Sequence, residues 1–142
     1  MRSGIVWILM GFMVSVQGQA QDAQWRGADR DGKYRDTGLL KQWPEEGPEL
    51  LFKKEGLGNG YSTPVVYEGN IYISGRRDSV EVLSRLDMNG QIKWETVYGM
   101  AWDKSFPETR STPTIEDGRA YIMGGLEPLF VWIPKRAISS GV

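Results

Sequence analysis

The sequence contains no cysteine and no histidine. Without Cys there are no disulfides, thiol nucleophiles, zinc–thiolate sites or ordinary iron–sulfur ligands. Without His there is no Ser–His or Cys–His catalysis and no imidazole metal site. Charge of one sign is also missing. Lys and Arg number 17 against 18 Asp and Glu, a formal net charge of −1, so no basic field points to nucleic acid or an anionic membrane surface. Any chemistry would fall to carboxylates, Lys, Tyr, Ser or a borrowed cofactor. What is present in 142 residues, about one ordinary domain, is 18 Gly, 6 Trp and 6 Tyr. That mixture suggests β-structure with many tight turns.

The one long uncharged apolar run is GIVWILMGFMVSV at residues 4–16, preceded by Arg2 and followed by Gln17, Gly18, Gln19 and Ala20. One cation, a short apolar stretch and small residues are the pattern of a secretory signal peptide, with cleavage after Gly18 or Ala20. The competing reading is a membrane anchor. Thirteen residues rise only about 20 Å as a helix, short of a hydrocarbon core of roughly 30 Å. Residues 1–20 are therefore expected to be removed and the product exported, to a bacterial periplasm or the medium, with no membrane association afterwards.

Residues 61–75 (YSTPVVYEGNIYISG) lie over residues 110–124 (RSTPTIEDGRAYIMG) at a constant offset of 49, with seven of fifteen positions identical. The identities are Ser62/Ser111, Thr63/Thr112, Pro64/Pro113, Gly69/Gly118, Tyr72/Tyr121, Ile73/Ile122 and Gly75/Gly124. Proline forces the preceding residue into extended geometry and suits the first residue of a strand. Glu68-Gly69 and Asp117-Gly118 carry turn chemistry, so each copy reads as a hairpin. Between the copies, 79–87 reads as a third strand. Asn89-Gly90 predicts a type I′ turn, and 91–98 reads as a fourth strand carrying Ile92 and Trp94 on one face. Further strands are expected at 50–55, 62–68, 70–76, 112–117 and 119–124. Four antiparallel strands per 49 residues is the footprint of a propeller blade.

The run LDMNGQIKW at 86–94 resembles the blade-ending motif of the pyrroloquinoline-quinone-like (PQQ-like) β-propeller repeat, with Asp87, Gly90 and Trp94 at its marked positions. The opening (QWRG at 24–27, RDG at 30–32, TGLL at 37–40, Trp43-Pro44, Gly47-Pro48) and GLGNGYSTP at 56–64 are similar to that family's exported members. The resemblance covers residues 24–125. It implies an all-β, quinoprotein-dehydrogenase-like partial propeller of four-stranded antiparallel blades, an incomplete ring. Residues 1–20 are then the signal peptide, 21–60 a lead-in with one strand, 61–109 the first full blade, and 110–142 the start of a second. The tail LEPLFVWIPKRAISSGV at 126–142 departs from the pattern, with Pro128, Pro134 and no matching turn. A ring needs roughly four to eight blades, so a truncated or frameshifted copy of a longer protein is expected.

Several motifs fall short of the chemistry they suggest. Residues 27–33 (GADRDGK) have P-loop spacing, but Tyr34 stands where Ser or Thr would hold magnesium, and Asp29 and Asp31 would repel phosphate. The same aspartates are spaced like the start of a calcium loop, yet Asp36 comes too early and Gly38 occupies a ligand position. GLGNG at 56–60 precedes a strand, so a pyrophosphate would find no helix N-terminus. Trp25, Trp43, Trp94, Trp102, Tyr72 and Tyr121 could stack on a planar ligand, but packing between blades explains them more simply. Arg76, Arg77 and Arg110 sit beside strand ends and read first as surface residues.

No catalytic, cofactor-binding or metal-ligating residue is therefore assigned. The distinguishing residues are those of the repeat: Ser62, Thr63, Pro64, Gly69, Tyr72, Gly75, Asp87, Gly90, Trp94, Ser111, Thr112, Pro113, Gly118, Tyr121 and Gly124. The expected function is that of a non-enzymatic exported binding or scaffold module, offering blade edges and loops to envelope proteins, with no nucleic-acid partner and a small-molecule ligand unknown. The resemblance implies an alternative, a fragment of a PQQ-dependent alcohol or sugar dehydrogenase, and only under it are PQQ and calcium expected as cofactors. The chain lacks the adjacent-cysteine pair of several such enzymes. A third reading is a broken gene product without function. With fewer than three blades, one blade face and one strand edge stay unpaired, so marginal solubility or self-association is expected.

Overall fold

The computed structural model describes residues 23–34, 36–126 and 130–133. The apolar run at residues 4–16, expected as a signal peptide, and the end of the tail lie outside the described residues. All regular structure among the described residues is β: β1 (Val65–Tyr67), β2 (Asn70–Arg77), β3 (Val80–Asp87), β4 (Ile92–Met100), β5 (Thr114–Glu116), β6 (Arg119–Met123) and β7 (Phe130–Ile133). They form a four-stranded sheet ordered β1-β2-β3-β4 and a three-stranded sheet ordered β5-β6-β7, with every neighbouring pair antiparallel. No helix among these residues is long and apolar enough to cross a membrane.

The first hairpins of the two sheets share one geometry. Glu68 and Gly69 have φ of 46° and 68°, and Asp117 and Gly118 have 49° and 69°. Two successive left-handed residues make the turn whose twist matches the flanking strands, and Gly at the second position adopts it without strain. The registers correspond residue for residue: Val65 opposes Tyr72 and Thr114 opposes Tyr121, Tyr67 opposes Asn70 and Glu116 opposes Arg119.

Four local expectations are corrected. The Asn89-Gly90 turn is not type I′, because of its central residues only Gly90 has positive φ, at 77°. The Asp87 carboxylate accepts from the N–H groups of Asn89 (3.0 Å) and Gln91 (2.9 Å), and the Gly90 N–H donates to the Asp87 carbonyl (3.0 Å). An aspartate that caps its own turn favours this longer loop. Ile92 and Trp94 do not share a face. The register slips at Lys93, so Ile92 opposes Leu86 and Trp94 opposes Arg85, on opposite sides of the sheet. Residues 50–55 form no strand. They run without a ladder partner from Phe52, which lies against Gly90, toward Leu57, whose carbonyl lies against Gly75. Finally, the tail set apart from the repeat does continue the second sheet, since β7 pairs along β6 from Ala120↔Ile133 to Met123↔Phe130.

The core lies between the sheets. Val65, Tyr72, Leu83 and Tyr98 of the first pack with Ile115, Ala120 and Ile122 of the second, all buried, with Ala23, Tyr67 and Trp94 at the margin. The second register slip in β4, between Val97 and Gly99, turns Tyr98 inward to join them. The lead-in is tied on where the Ile115 N–H donates to the Ala23 carbonyl (2.7 Å).

Candidate functional site

The two Ser-Thr-Pro runs meet at the seam between β1 and β5. Proline has no N–H to give a ladder, so regular pairing begins only after it, at Val65 and Thr114, and the preceding residues bond through side chains. Ser62 Oγ accepts the Ser74 N–H (3.3 Å), and Ser111 Oγ accepts the Met123 N–H (3.0 Å), the same bond one copy later. Across the seam, the Thr63 N–H donates to Thr112 Oγ1 (3.0 Å) and the Ser74 hydroxyl to the Ser111 carbonyl (2.6 Å). The Tyr61 N–H donates to the Thr109 carbonyl (2.8 Å). Ser and Thr at these positions thus act as connectors that satisfy otherwise orphaned backbone groups.

Beside this seam a buried carboxylate joins the sheets. Glu81 of β3 is only 4% exposed. Its Oε1 accepts the Thr109 hydroxyl (3.1 Å), and its Oε2 accepts the Gly125 N–H (2.7 Å). Small residues permit the approach. A side-chain carbon at Gly125 would lie 3.0 Å from the Trp102 nitrogen, and one at Gly60 would lie 2.8 Å from the Thr109 carbonyl oxygen. Tyr98 stands behind, its hydroxyl beside the Ser74 and Thr109 side chains without a well-formed hydrogen bond. Burial, reinforced by the Glu81 charge, pushes the Tyr98 hydroxyl up to about 12.

In front of Glu81 an open groove of about 550 Å³ is walled by Trp102, Phe106, Glu108, Arg110, Ser111, Met123 and the Gly124-Gly125 backbone. The Trp102 indole N–H donates to Ser105 Oγ (3.1 Å). The Arg110 guanidinium donates to the Phe106 carbonyl (2.9 Å) and lies 5.0 Å from the centre of the Phe106 ring. Aromatic walls with one acid at the base and one cation at the rim suit contact with a polypeptide or a polar ring. Both Glu81 oxygens already accept from the protein, and Glu108 adds a second carboxylate to the groove wall.

The residues singled out by sequence are spread over the fold. The Ser-Thr-Pro residues lie at the seam, Tyr72 is in the core and Tyr121 is half-buried in the second sheet. Gly69 and Gly118 form the turns. Gly75 lies against Leu57, Gly90 against Phe52, and Gly124 lines the groove. Asp87 is held below the ordinary carboxylate range by the ammonium of Lys93 (2.9 Å) and by the N–H groups it caps. Trp94 packs on the core margin with its N–H unpaired and buried, opposite Arg85, whose guanidinium sits 5.9 Å from the centre of the Tyr72 ring. The packing expected of them does not describe Trp25, Trp43 or Trp102. Trp25 and Trp43 are 60% and 65% exposed, and Trp102 lines the groove, because the lead-in and the 102–108 loop lie outside the sheets.

The arginines are engaged. Arg76 donates to the Asp78 (2.6 Å) and Pro107 (2.8 Å) carbonyls. Arg77 forms a paired bond to Glu95, which also accepts the Ser84 hydroxyl (2.9 Å). That guanidinium holds Glu95 below, and is itself held above, its usual range. GLGNG is a backbone junction, with the Asn59 N–H donating to the Arg76 carbonyl (2.9 Å) and the reverse bond at 2.8 Å. A side-chain carbon at Gly58 would come within 2.6 Å of the Arg76 carbonyl oxygen. In the 27–33 loop, Asp31 accepts the Lys33 N–H (2.9 Å). Among the described residues no three acidic side chains converge where a metal ion could sit.

Sequence reasoning missed Glu81 and Thr109. A signal lies in the run VEVL at 80–83, where a charge alternates into an inward-facing position of a strand. No protein-family model, no curated protein and no solved structure matches the chain.

Proposed function

We propose that the chain is an exported, non-enzymatic β-propeller repeat module of the PQQ-like kind, acting in the bacterial envelope as a binding or scaffold surface for other polypeptides. The observation that carries this reading is the pair of hairpins in one register, one copy apart at 49 residues, joined side by side through β1 and β5 at the Ser-Thr-Pro seam. Antiparallel sheets repeated about their first strands are how a propeller is built. The commitment of Glu81 to Thr109 and Gly125 and the aromatic groove favour contact over catalysis.

The test has two arms. Expressed in a bacterium with a C-terminal tag, the chain is expected outside the cytoplasm with a mass lacking residues 1–18 or 1–20. The purified mature chain, titrated with PQQ and calcium and assayed by dye reduction with alcohols and sugars, is expected to show no turnover. A full-length cytoplasmic product would remove the export half of the reading. Stoichiometric quinone binding with turnover would replace the scaffold by the dehydrogenase alternative.

A further inference from the structure

The shared register allows each residue of one sheet to be matched to its counterpart in the other, and the match exposes an asymmetry. The second sheet meets the first through Ile115, Ala120 and Ile122, which are 4%, 1% and 1% exposed. Forty-nine residues earlier stand Val66, Ile71 and Ile73. These alternate with the inward-facing Val65 and Tyr72, so they lie on the far side of the first sheet. Val66 is 42% exposed there, and Ile71 and Ile73 are half-buried. Among the described residues the complementary surface is partly exposed as well. The counterparts of the first sheet's core residues Val65 and Tyr72 are Thr114 and Tyr121, half-buried on the far side of the second sheet. Thr114 opens there on a groove lined also by Gln24, Trp25 and Arg30.

One molecule therefore carries both halves of an interface whose assembled form already exists inside it. A surface of the Ile115 kind is apolar and complementary to one of the Tyr72 kind, as the core demonstrates. Two unlike surfaces on opposite ends of one chain meet heterologously, so association proceeds head to tail and closes only if the rotation permits. On the far side of the first sheet the chain crosses from Phe52, against Gly90 in the β3–β4 turn, to Leu57, against Gly75 of β2, while Val66 of β1 stays 42% exposed.

We propose that a second copy of this chain docks head to tail on the first, seating its Thr114 and Tyr121 face on Val66, Ile71 and Ile73. This names a partner for the scaffold read above and rests on that reading, but it draws on the register match and not on export or quinone binding. Failure of either arm of the earlier test would leave it standing, and its own failure would leave them standing.

The test is sedimentation velocity of the mature chain from about 1 to about 100 µM, a range suited to a small interface. The expected result is a size that rises with concentration without stopping at a dimer, or that jumps to a closed ring. Val66→Asp and Tyr121→Asp, each folded by circular dichroism, are each expected to weaken self-association at least about tenfold. Mixed together they are expected to form a 1:1 heterodimer and nothing larger, because each retains the face the other has lost. Thr114→Lys replaces Tyr121→Asp if the latter does not fold. A wild-type chain that stays monomeric throughout would overturn the proposal. So would variants that associate like wild type, or a mixture that remains monomeric, which would indicate a different or a like-with-like interface.

Discussion

Replacing Glu81 by Ala is the most informative perturbation of the seam. The carboxylate is 4% exposed and accepts from two groups on separate segments, the Thr109 hydroxyl and the Gly125 N–H. Truncation leaves both donors without their acceptor at the base of the groove, and an unsatisfied buried donor costs about 1–3 kcal/mol. Against this stands relief of the desolvation that a buried carboxylate suffers, which can offset a large part of the loss. The balance is set by the fact that the loop donors remain when the acid is gone. The expected net loss is about 2–3 kcal/mol, a sizeable share of the roughly 5–15 kcal/mol that holds a domain together. Glu81→Gln keeps one acceptor oxygen and is expected to lose about half as much. Urea unfolding followed by Trp fluorescence measures both, at concentrations below any self-association. Phenolate absorbance supplies a second readout. With the Glu81 charge removed, the Tyr98 hydroxyl is expected to ionise below its present value of about 12, yet still above the ordinary tyrosine range, because burial is the larger cause. A Glu81→Ala chain as stable as wild type, with Tyr98 titrating unchanged, would refute the connecting role.

Three further outcomes follow from single contacts. Gly75→Ala drives a methyl group into the Leu57 carbonyl, a backbone atom that cannot swing aside, and is expected to cost at least about 1–3 kcal/mol in urea unfolding; a neutral effect would show that residues 52–58 do not press on the sheet. The raised Tyr98 makes stability alkali-sensitive: its contribution is whole below pH 10, where the unfolded phenol keeps its proton, and is lost as pH rises through about 12. Tyr98→Phe is expected to flatten that fall, and an unchanged alkaline profile would count against it. The depressed Asp87 acts at the other end, contributing stability above the ordinary Asp range near pH 4 and losing it as pH falls through its lower folded value. Asp87→Asn is therefore expected to be less stable than wild type at pH 7 and to converge with it in strong acid; a gap that persisted at low pH would rule the linkage out.

Much of the β framework is legible because hairpins are local. Glu68-Gly69 and Asp117-Gly118 place a left-handed pair between short β-rich runs, and the strands at 70–77, 80–87 and 119–123 follow within a residue or so of the expected bounds. The errors arise where a distant partner decides. Residues 50–55 offer only the apolar run Leu50-Leu51-Phe52 toward a strand, a strand exists only with a neighbour, and none of the described residues supplies one. Residues 62–64 and 111–113 look extended and are extended, yet their hydrogen bonds go to side chains across the seam instead of a ladder. The slip at Lys93 breaks the period-two pattern that would have kept Ile92 and Trp94 together, and nothing in the order of those residues marks it.

The candidate groove was harder to see for the same reason. Glu81, Thr109 and Gly125 are 28 and 44 residues apart along the chain, and each alone is an ordinary residue of its segment. An acid inside a strand reads as solvent-facing unless the other sheet is known to cover it. The repeat carries a usable hint: Glu81 lies twelve residues after Gly69, beyond the fifteen positions that recur, so whatever it does is specific to the first copy. A buried charge satisfied by one hydroxyl and one backbone N–H is tolerated only where both donors are fixed in place. Here Thr109 is fixed by its carbonyl bond to Tyr61 and by a parallel bridge to Gly60, which draws the loop entering the second sheet against the strand entering the first. The carboxylate thus depends on the Ser-Thr-Pro seam, and the seam is closed at its far side by the carboxylate. This mutual dependence is why disturbing Glu81 should be felt at Tyr98 and Thr109 before it is felt at the outer strand β4.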